Sequence, residues 1–203
     1  MAGSCCNYVK FKRHIEKSIG DSHTFNAQGN VTKLYYLSLN DLVNYLDQEI
    51  NSKKTSDLEN FQINNISLSV SRNNENTASY LSNIKGELVG FGNSTSSTLF
   101  KIDTNHVFTG ITNVIKLNAA LKLAAVTTLG SAIQDAILKR NLNAISLNIM
   151  FTVPPSQKLV ADINFSCTIS MDVTTCELVP FGLGPSECMI KTIPFSISSS
   201  ILK

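Results

Sequence analysis

Apolar and polar residues alternate along much of this chain, most cleanly between residues 159 and 173. Leu159, Ala161, Ile163, Phe165, Cys167, Ile169, Met171 and Val173 take the odd positions, and Asp162, Asn164, Ser166, Thr168, Ser170 and Asp172 take most of the even ones. Successive side chains of a strand point to opposite faces, so the pattern predicts a long strand with one face in a core and the other in water. Residues 145–153 repeat it, with Ile145, Leu147, Ile149, Phe151 and Val153 facing inward. Between the two, Pro154-Pro155-Ser156-Gln157 predicts the turn of a hairpin. Period two also runs through Ile111, Ile115, Leu117, Ala119, Leu121 and Leu123. Shorter strands are expected at 66–70, 84–91 and 190–197, and polar loops at 51–60 and 72–77.

Two segments change period. Leu39, Leu42, Val43, Leu46 and Ile50 recur at helical spacing behind a Ser38-Leu39-Asn40-Asp41 start, predicting a helix over about 38–50. A second helix is predicted over 131–140. Ser131 and Gln134 fit a capping box, Ile133, Ala136 and Ile137 form its apolar stripe, and Lys139 and Arg140 suit the negative end of its dipole. Ile66-Ser67-Leu68-Ser69-Val70 resembles Ile145-Ser146-Leu147-Asn148-Ile149, and each follows a helix. Ile84 lies 18 residues after Ile66, as Ile163 lies 18 after Ile145. Two β-hairpins of one design would explain this, although alternation also recurs cheaply in a strand-rich chain. No composition break divides the sequence. It reads as a connector arm over 1–20 followed by one mainly-β domain over 21–203.

Charge narrows the function. The 203 residues include 17 Lys plus Arg and 15 Asp plus Glu, for a net charge of +2. A near-neutral balance argues against a nucleic-acid or anionic-membrane binder, which displays a basic excess. Only 16% of residues are charged, against about 25% in ordinary soluble domains. Polarity comes instead from Ser, Thr and Asn, which lose little solvation when they pack on another protein, and weakly charged surfaces associate. An AT-rich coding bias would supply the same residues. No apolar segment follows Met1, so no signal peptide is expected. The apolar stretch 117–129 is interrupted by Asn118, Lys122, Thr127 and Thr128, so no membrane span is expected.

Motifs for catalysis are lacking in the sequence: there is no G-x-S-x-G, P-loop or H-E-x-x-H. Gly86, Gly90 and Gly92 fall within a strand pattern, and His14, His23 and His106 are scattered. The chain therefore reads as a non-enzyme with no cofactor and no metal. A zinc site or Cys–His nucleophile from Cys5, Cys6 and His14 is disfavoured, because a terminal arm preorganises chemistry poorly. The sequons at Asn30, Asn65, Asn93 and Asn164 are about as frequent as this composition gives by chance.

The five cysteines, Cys5, Cys6, Cys167, Cys176 and Cys188, carry more information. Adjacent Cα atoms lie about 3.8 Å apart, below the roughly 4.4–6.8 Å that a disulfide spans. Cys5 and Cys6 are thus poor partners for each other, and an odd count leaves one thiol over in an oxidised monomer. Cys167 lies on the apolar face of its strand and reads as a buried thiol. Cys176 falls just after that strand, and Cys188 is out of phase with Met189, Ile193 and Phe195. Both are expected to face away from the core. Cys5, Cys6, Cys176 and Cys188 therefore form a matched set of candidates for inter-subunit disulfides. The alternative is that all five stay reduced, as in an ordinary cytosolic protein.

The two ends of the chain resemble the endospore appendage fibre subunits of spore-forming bacteria. The likeness rests on the adjacent cysteines of Ser4-Cys5-Cys6-Asn7 and on a cysteine opening the last strand, in Glu187-Cys188-Met189-Ile190-Lys191-Thr192. It covers only those short stretches, and this chain is longer than the usual subunit and carries two helices. The resemblance implies a jelly-roll β-sandwich that stacks by strand augmentation, with a connector disulfide-bonded to its neighbours and no signal peptide. On it, the chain is a non-catalytic structural subunit whose partner is itself, with related minor subunits, in an extracellular appendage or at the spore surface. Two other classes share the same features. One is a lipoprotein-like β-sandwich binding module of the cell envelope, anchored at Cys5; the other is a phage virion or tail protein.

Overall fold

In the computed structural model, which describes residues 8–49, 55–90, 97–139 and 145–178, the strand patterns resolve into nine strands. They are β1 Tyr8–Ala27, β2 Asn30–Leu37, β3 Thr55–Arg72, β4 Tyr80–Val89, β5 Ser97–Ile102, β6 His106–Val107, β7 Thr112–Lys116, β8 Ile145–Thr152 and β9 Leu159–Leu178. Helix α1 spans Leu39–Glu49 and α2 spans Leu123–Lys139, with a 3-10 turn at Asn118–Ala120. The protein is mainly β with two helices, as its patterning predicts.

Two antiparallel sheets form, here called A and B. Sheet A has the order β1-β9-β3-β7, and sheet B has the order β2-β8-β4-β5 with β6 on β4. The first strand pairs with the last and the second with the second-last, which is the wrapping of a jelly roll. One core lies between the sheets. The rings of Phe25 on β1 and Phe151 on β8 meet at 5.4 Å, and those of Phe100 on β5 and Phe165 on β9 stack at 6.4 Å. Ile66, Leu68 and Val70 on β3 face that core, as do Leu147 and Ile149 on β8.

The order of elements repeats. β1-β2-α1-β3-β4 is followed by β5-β7-α2-β8-β9, with β6 inserted. Exchanging the two halves maps β1 onto β5, β2 onto β7, β3 onto β8 and β4 onto β9, and it carries sheet A's strand order onto sheet B's. The likeness between 66–70 and 145–149 thus falls on equivalent strands.

It does not mark two hairpins. β8 belongs to sheet B and β9 to sheet A, so Pro154-Pro155-Ser156-Gln157 carries the chain across the sandwich. The expected hairpin is corrected to an arch. An arch and a hairpin both turn apolar positions toward one core, and periodicity alone cannot separate them.

Three further expectations change. The second helix begins at Leu123 and not at Ser131, which lies in its middle. Leu and Ala alternate over 117–123, which predicts strand, but Asn118–Ala120 form a 3-10 turn and the helix begins at Leu123. Ala is however the best helix former, and Ala125, Leu129, Ile133, Ala136 and Ile137 are buried at helical spacing. The loop expected at 51–60 is strand from Thr55 onward; its period is hidden by register shifts near Asp57, Glu59 and Ile63. The arm expected over 1–20 gives way to strand β1 from Tyr8 onward, because Ile15, Ile19 and Phe25 are spaced for the core while charged residues fill the gaps. The strand expected at 190–197 lies outside the described residues.

Candidate assembly edge and the thiols

A two-sheet sandwich has four edges, and each exposes backbone donors and acceptors that can recruit another strand. Here they are β7 and β1 of sheet A and β2 and β5 of sheet B. Three of them are bonded by specific groups along part of their length.

On the β7 side, β7 covers β3 only from Ser67 to Ser71. The next stretch of β3 is capped by a side chain: Asn118 Oδ1 accepts from Ile66 N–H at 2.9 Å, and Asn118 Nδ2 donates to the Asn64 carbonyl at 3.3 Å. The Leu117 amide adds a bond to the Ile66 carbonyl at 2.9 Å. Helix α2 lies over the part beyond, where Gly130 lets it approach the Phe61 ring. On β5, the Lys122 amide donates to the Leu99 carbonyl at 2.9 Å, and Leu121 bridges Phe100. On β2, the Tyr36 amide donates to Asp21 Oδ2 of β1 at 2.8 Å.

β1 differs. It pairs with β9 over 20 residues without a register shift, a length of roughly 65 Å at about 3.4 Å per residue. Among the described residues no strand pairs with its other side. Near its middle the Lys17 ammonium stands 4.5 Å from the Tyr45 ring centroid of α1, and Asp21 reaches β2. Ser18, Ser22 and Thr24 of β1 and Asp162, Asn164 and Thr168 of β9 form a hydroxyl-rich and amide-rich outer face. Ser18 and Thr168 bond at 2.8 Å, and the Thr24 hydroxyl donates to Asp162 at 2.6 Å.

At the end of β1 nearest the N-terminus, Asp172 gathers three strands. Its carboxylate meets His14 Nδ1 of β1 at 2.9 Å, accepts from Asn60 Nδ2 of β3 at 2.6 Å, and lies 3.4 Å from Lys12 Nζ. Lys12 also bonds Glu59 at 2.8 Å. Asn60 sits at φ 51°, within a shift of the β3–β9 register; Asn tolerates that left-handed conformation better than most residues. Burial alone would raise the Asp172 pKa, but the hydrogen bonds from Asn60, His14 and Lys12 outweigh it and hold it below the usual carboxylate value. The bond to Glu59 raises the Lys12 pKa in turn.

The other histidines stand elsewhere. His23 Nε2 lies 3.1 Å from Asp21 Oδ2, with its ring edge-on to Tyr35 at 4.6 Å. Tyr35 is fully buried and donates to the Ile163 carbonyl at 3.2 Å; burial first, and then Asp21, pushes its pKa up. Burial lowers that of His106 on β6. Among the described residues no cluster of three or more His, Cys, Asp or Glu is arranged to hold a metal.

Cys167 is buried on β9, and burial pushes its thiol pKa up to about 12. Cys176, expected just past the strand, lies within β9 opposite Lys10 of β1. Cys5, Cys6 and Cys188 lie outside the described residues. Periodicity found the long inner strands but missed the edge itself: the signal for β1 was the apolar spacing of Ile15, Ile19 and Phe25, diluted by Lys17, Asp21 and His23 on the same parity.

The fold thus defines a jelly-roll β-sandwich with one long edge that no described strand covers. Comparison with known protein families, curated proteins and solved structures finds no match to this chain.

Proposed function

We propose that the chain is a non-catalytic structural subunit that polymerises with copies of itself. It does so by strand addition at β1, locked by disulfides from Cys5 and Cys6 to Cys176 and Cys188 of neighbouring copies. The observation that carries this reading is the contrast among the edges. Asn118, the 121–122 segment and Asp21 each bond backbone along one edge, while among the described residues no strand pairs with the outer side of the 20-residue β1. Monomeric proteins blunt long edges, so a 20-residue edge that no described strand covers supports a place for another strand.

The register supports bonds between copies over bonds within one. Cys176 stands level with Lys10, and Cys6 comes four residues earlier in sequence. A straight continuation of β1 would carry Cys6 about 13 Å beyond Cys176, twice the roughly 4.4–6.8 Å a disulfide spans. An extracellular appendage or the spore surface is the setting in which such a cross-linked polymer has a use.

The test is a detergent gel of boiled native material with and without reductant. A ladder that collapses to the 22.1 kDa chain on reduction is the expected result; one monomer band in both lanes overturns covalent assembly. Deleting residues 1–7 should leave the body folded and the polymer weak, and unchanged resistance of the truncated polymer would also sink the proposal.

A further inference from the structure

We propose that the polar cluster around Asp172 makes a covalent cross-link: an amide between Lys12 Nζ and Asn60 Cγ, which ties β1 to β3 across β9 and releases ammonia. The link forms within one chain and does not depend on the cysteines or on self-assembly.

The geometry that carries it is one oxygen set between two nitrogens. Asp172 Oδ2 accepts from Asn60 Nδ2 at 2.6 Å and lies 3.4 Å from Lys12 Nζ. β9 stands between β1 and β3 in sheet A, and Asp172 is paired with His14 on one side and Glu59 on the other. Lys12 and Asn60 therefore reach the same carboxylate from opposite sides. The Asp172 side chain is 16% exposed and that of Lys12 29%, so the contact is largely shielded from water.

The backbone bends to bring Asn60 there. Glu59 takes the regular position opposite Asp172, and in an unbroken strand the next residue would face the other side of the sheet. Asn60 instead sits at φ 51°, inside the shift of register between Glu59 and Gln62. Both residues then meet the Lys12–Asp172 pair. A salt bridge alone does not call for that bend, because Lys12 already supplies Asp172 with a cation; unusual backbone of this kind clusters where side chains have work to perform.

The step balances without a co-reactant. Lys12 gives up a proton, and its lone pair attacks the amide carbon of Asn60. The Nζ–Cγ bond forms, the Cγ–Nδ2 bond breaks, and Nδ2 leaves as ammonia. Of the two protons that Nζ loses, one goes to Nδ2 and the other departs with the ammonia as ammonium. Nothing is oxidised or reduced. The nitrogen that must lose a proton and the nitrogen that must gain one share Asp172 Oδ2, so that carboxylate carries the proton between them.

The charged and titratable groups around Lys12 are Glu59 of β3, Asp172 of β9 and, on the other oxygen of Asp172, His14 of β1. The hydrogen bond to Glu59, opposed by burial and helped by Asp172, raises the Lys12 pKa. The attacking free amine is therefore scarce near neutrality. The link forms slowly there, and about tenfold faster for each unit of rising pH below lysine's range of about 10.4 and above.

Intact mass spectrometry of the full chain, reduced and alkylated and sampled during incubation between pH 7 and pH 9, tests the proposal. From the 22.1 kDa chain wild type should lose the mass of one ammonia, faster at the higher pH. Tandem spectra of a digest should show the peptide holding Lys12 joined to the one holding Asn60. Lys12→Arg and Asn60→Ala should keep the full mass, and Asp172→Asn should link more slowly by about a hundredfold. Glu59→Gln should link faster than wild type, because it removes the group that most raises the Lys12 pKa; misfolding would not produce that gain. Wild type that keeps its full mass through the alkaline incubation overturns the inference. A loss of ammonia that Lys12→Arg retains also overturns it, since it marks an asparagine cyclising on its own backbone. So does an Asp172→Asn chain that links as fast as wild type.

Discussion

Asn118→Ala tests the reasoning about edges directly. Asn118 makes two hydrogen bonds to the backbone of β3, through Ile66 N–H and the Asn64 carbonyl. Asn118 covers the Ile66 amide, and its removal leaves that donor without a protein acceptor. A typical bond contributes about 1 kcal/mol net, and leaving a buried donor unmade costs about 1–3 kcal/mol. The sum for Asn118→Ala is therefore about 2–4 kcal/mol. For a domain of this size each kcal/mol moves Tm by about 2–4 °C, which places the shift at roughly 4–16 °C. Lys116→Ala, an exposed change on the adjacent strand, is the control and should stay within about 0.5 kcal/mol.

Melting followed by circular dichroism under reductant measures the first effect. Amide hydrogen exchange measures the second: the Ile66 amide should lose protection selectively while the amides of β9 keep theirs. The variant should also aggregate faster on warming, because a second edge of sheet A is then bare. If Asn118→Ala melts within 1 °C of wild type and Ile66 stays protected, Asn118 does not close the edge, and the contrast that singles out β1 disappears.

Other substitutions read other parts of the fold. Gly86→Ala should destabilise by about 1–3 kcal/mol in chemical denaturation, since an added Cβ would fall inside the contact distance of the buried Phe100 ring; an unchanged midpoint would mean the ring has room to move. The depressed Asp172 pKa means its stabilisation is full above about pH 4, the unfolded value, and is lost as pH falls through the lower folded value. Urea midpoints of wild type and Asp172→Asn should therefore differ near neutrality and converge toward about pH 2, and a constant difference would refute the assignment. In reductant at pH 8, a thiol reagent should leave Cys167 unmodified until denaturant is added, and rapid native labelling of Cys167 would contradict its burial.

The sequence displayed the core strands because their two faces differ strongly. β8 and β9 alternate without interruption, and both lie centrally in their sheets with neighbours on each side. α1 was legible from Leu39, Leu42, Val43 and Leu46, all buried in the structure. Legibility failed where one side chain serves two environments. Lys17, Asp21 and His23 occupy inward positions of β1 at the flank of the sandwich, where a charged tip still reaches a partner or solvent. They break the period without breaking the strand. Partner choice was illegible for a different reason: hydrogen bonds between strands are made by backbone, which every sequence possesses, so 145–153 and 159–173 look the same as a hairpin or as an arch. Edge caps such as Asn118 were invisible because a polar side chain bonding backbone 52 residues away leaves no local signal.

The number of open edges has a consequence for the form of any assembly. A sandwich with complementary open edges on both sides of one sheet could extend by edge pairing alone, joining β1 of one copy to β7 of the next. This fold forbids that route over most of its length, because β7 has five residues and Asn118 and α2 occupy the rest of the β3 edge. Pairing β1 with β1 of a second copy uses the same edge on both sides, and the result is a closed dimer. Growth beyond two copies therefore requires a second contact, and the proposed disulfides of Cys5 and Cys6 would supply it. Reductant should then take the polymer down to pairs of copies joined through β1, and a polymer of unchanged length under reductant would refute that division of tasks.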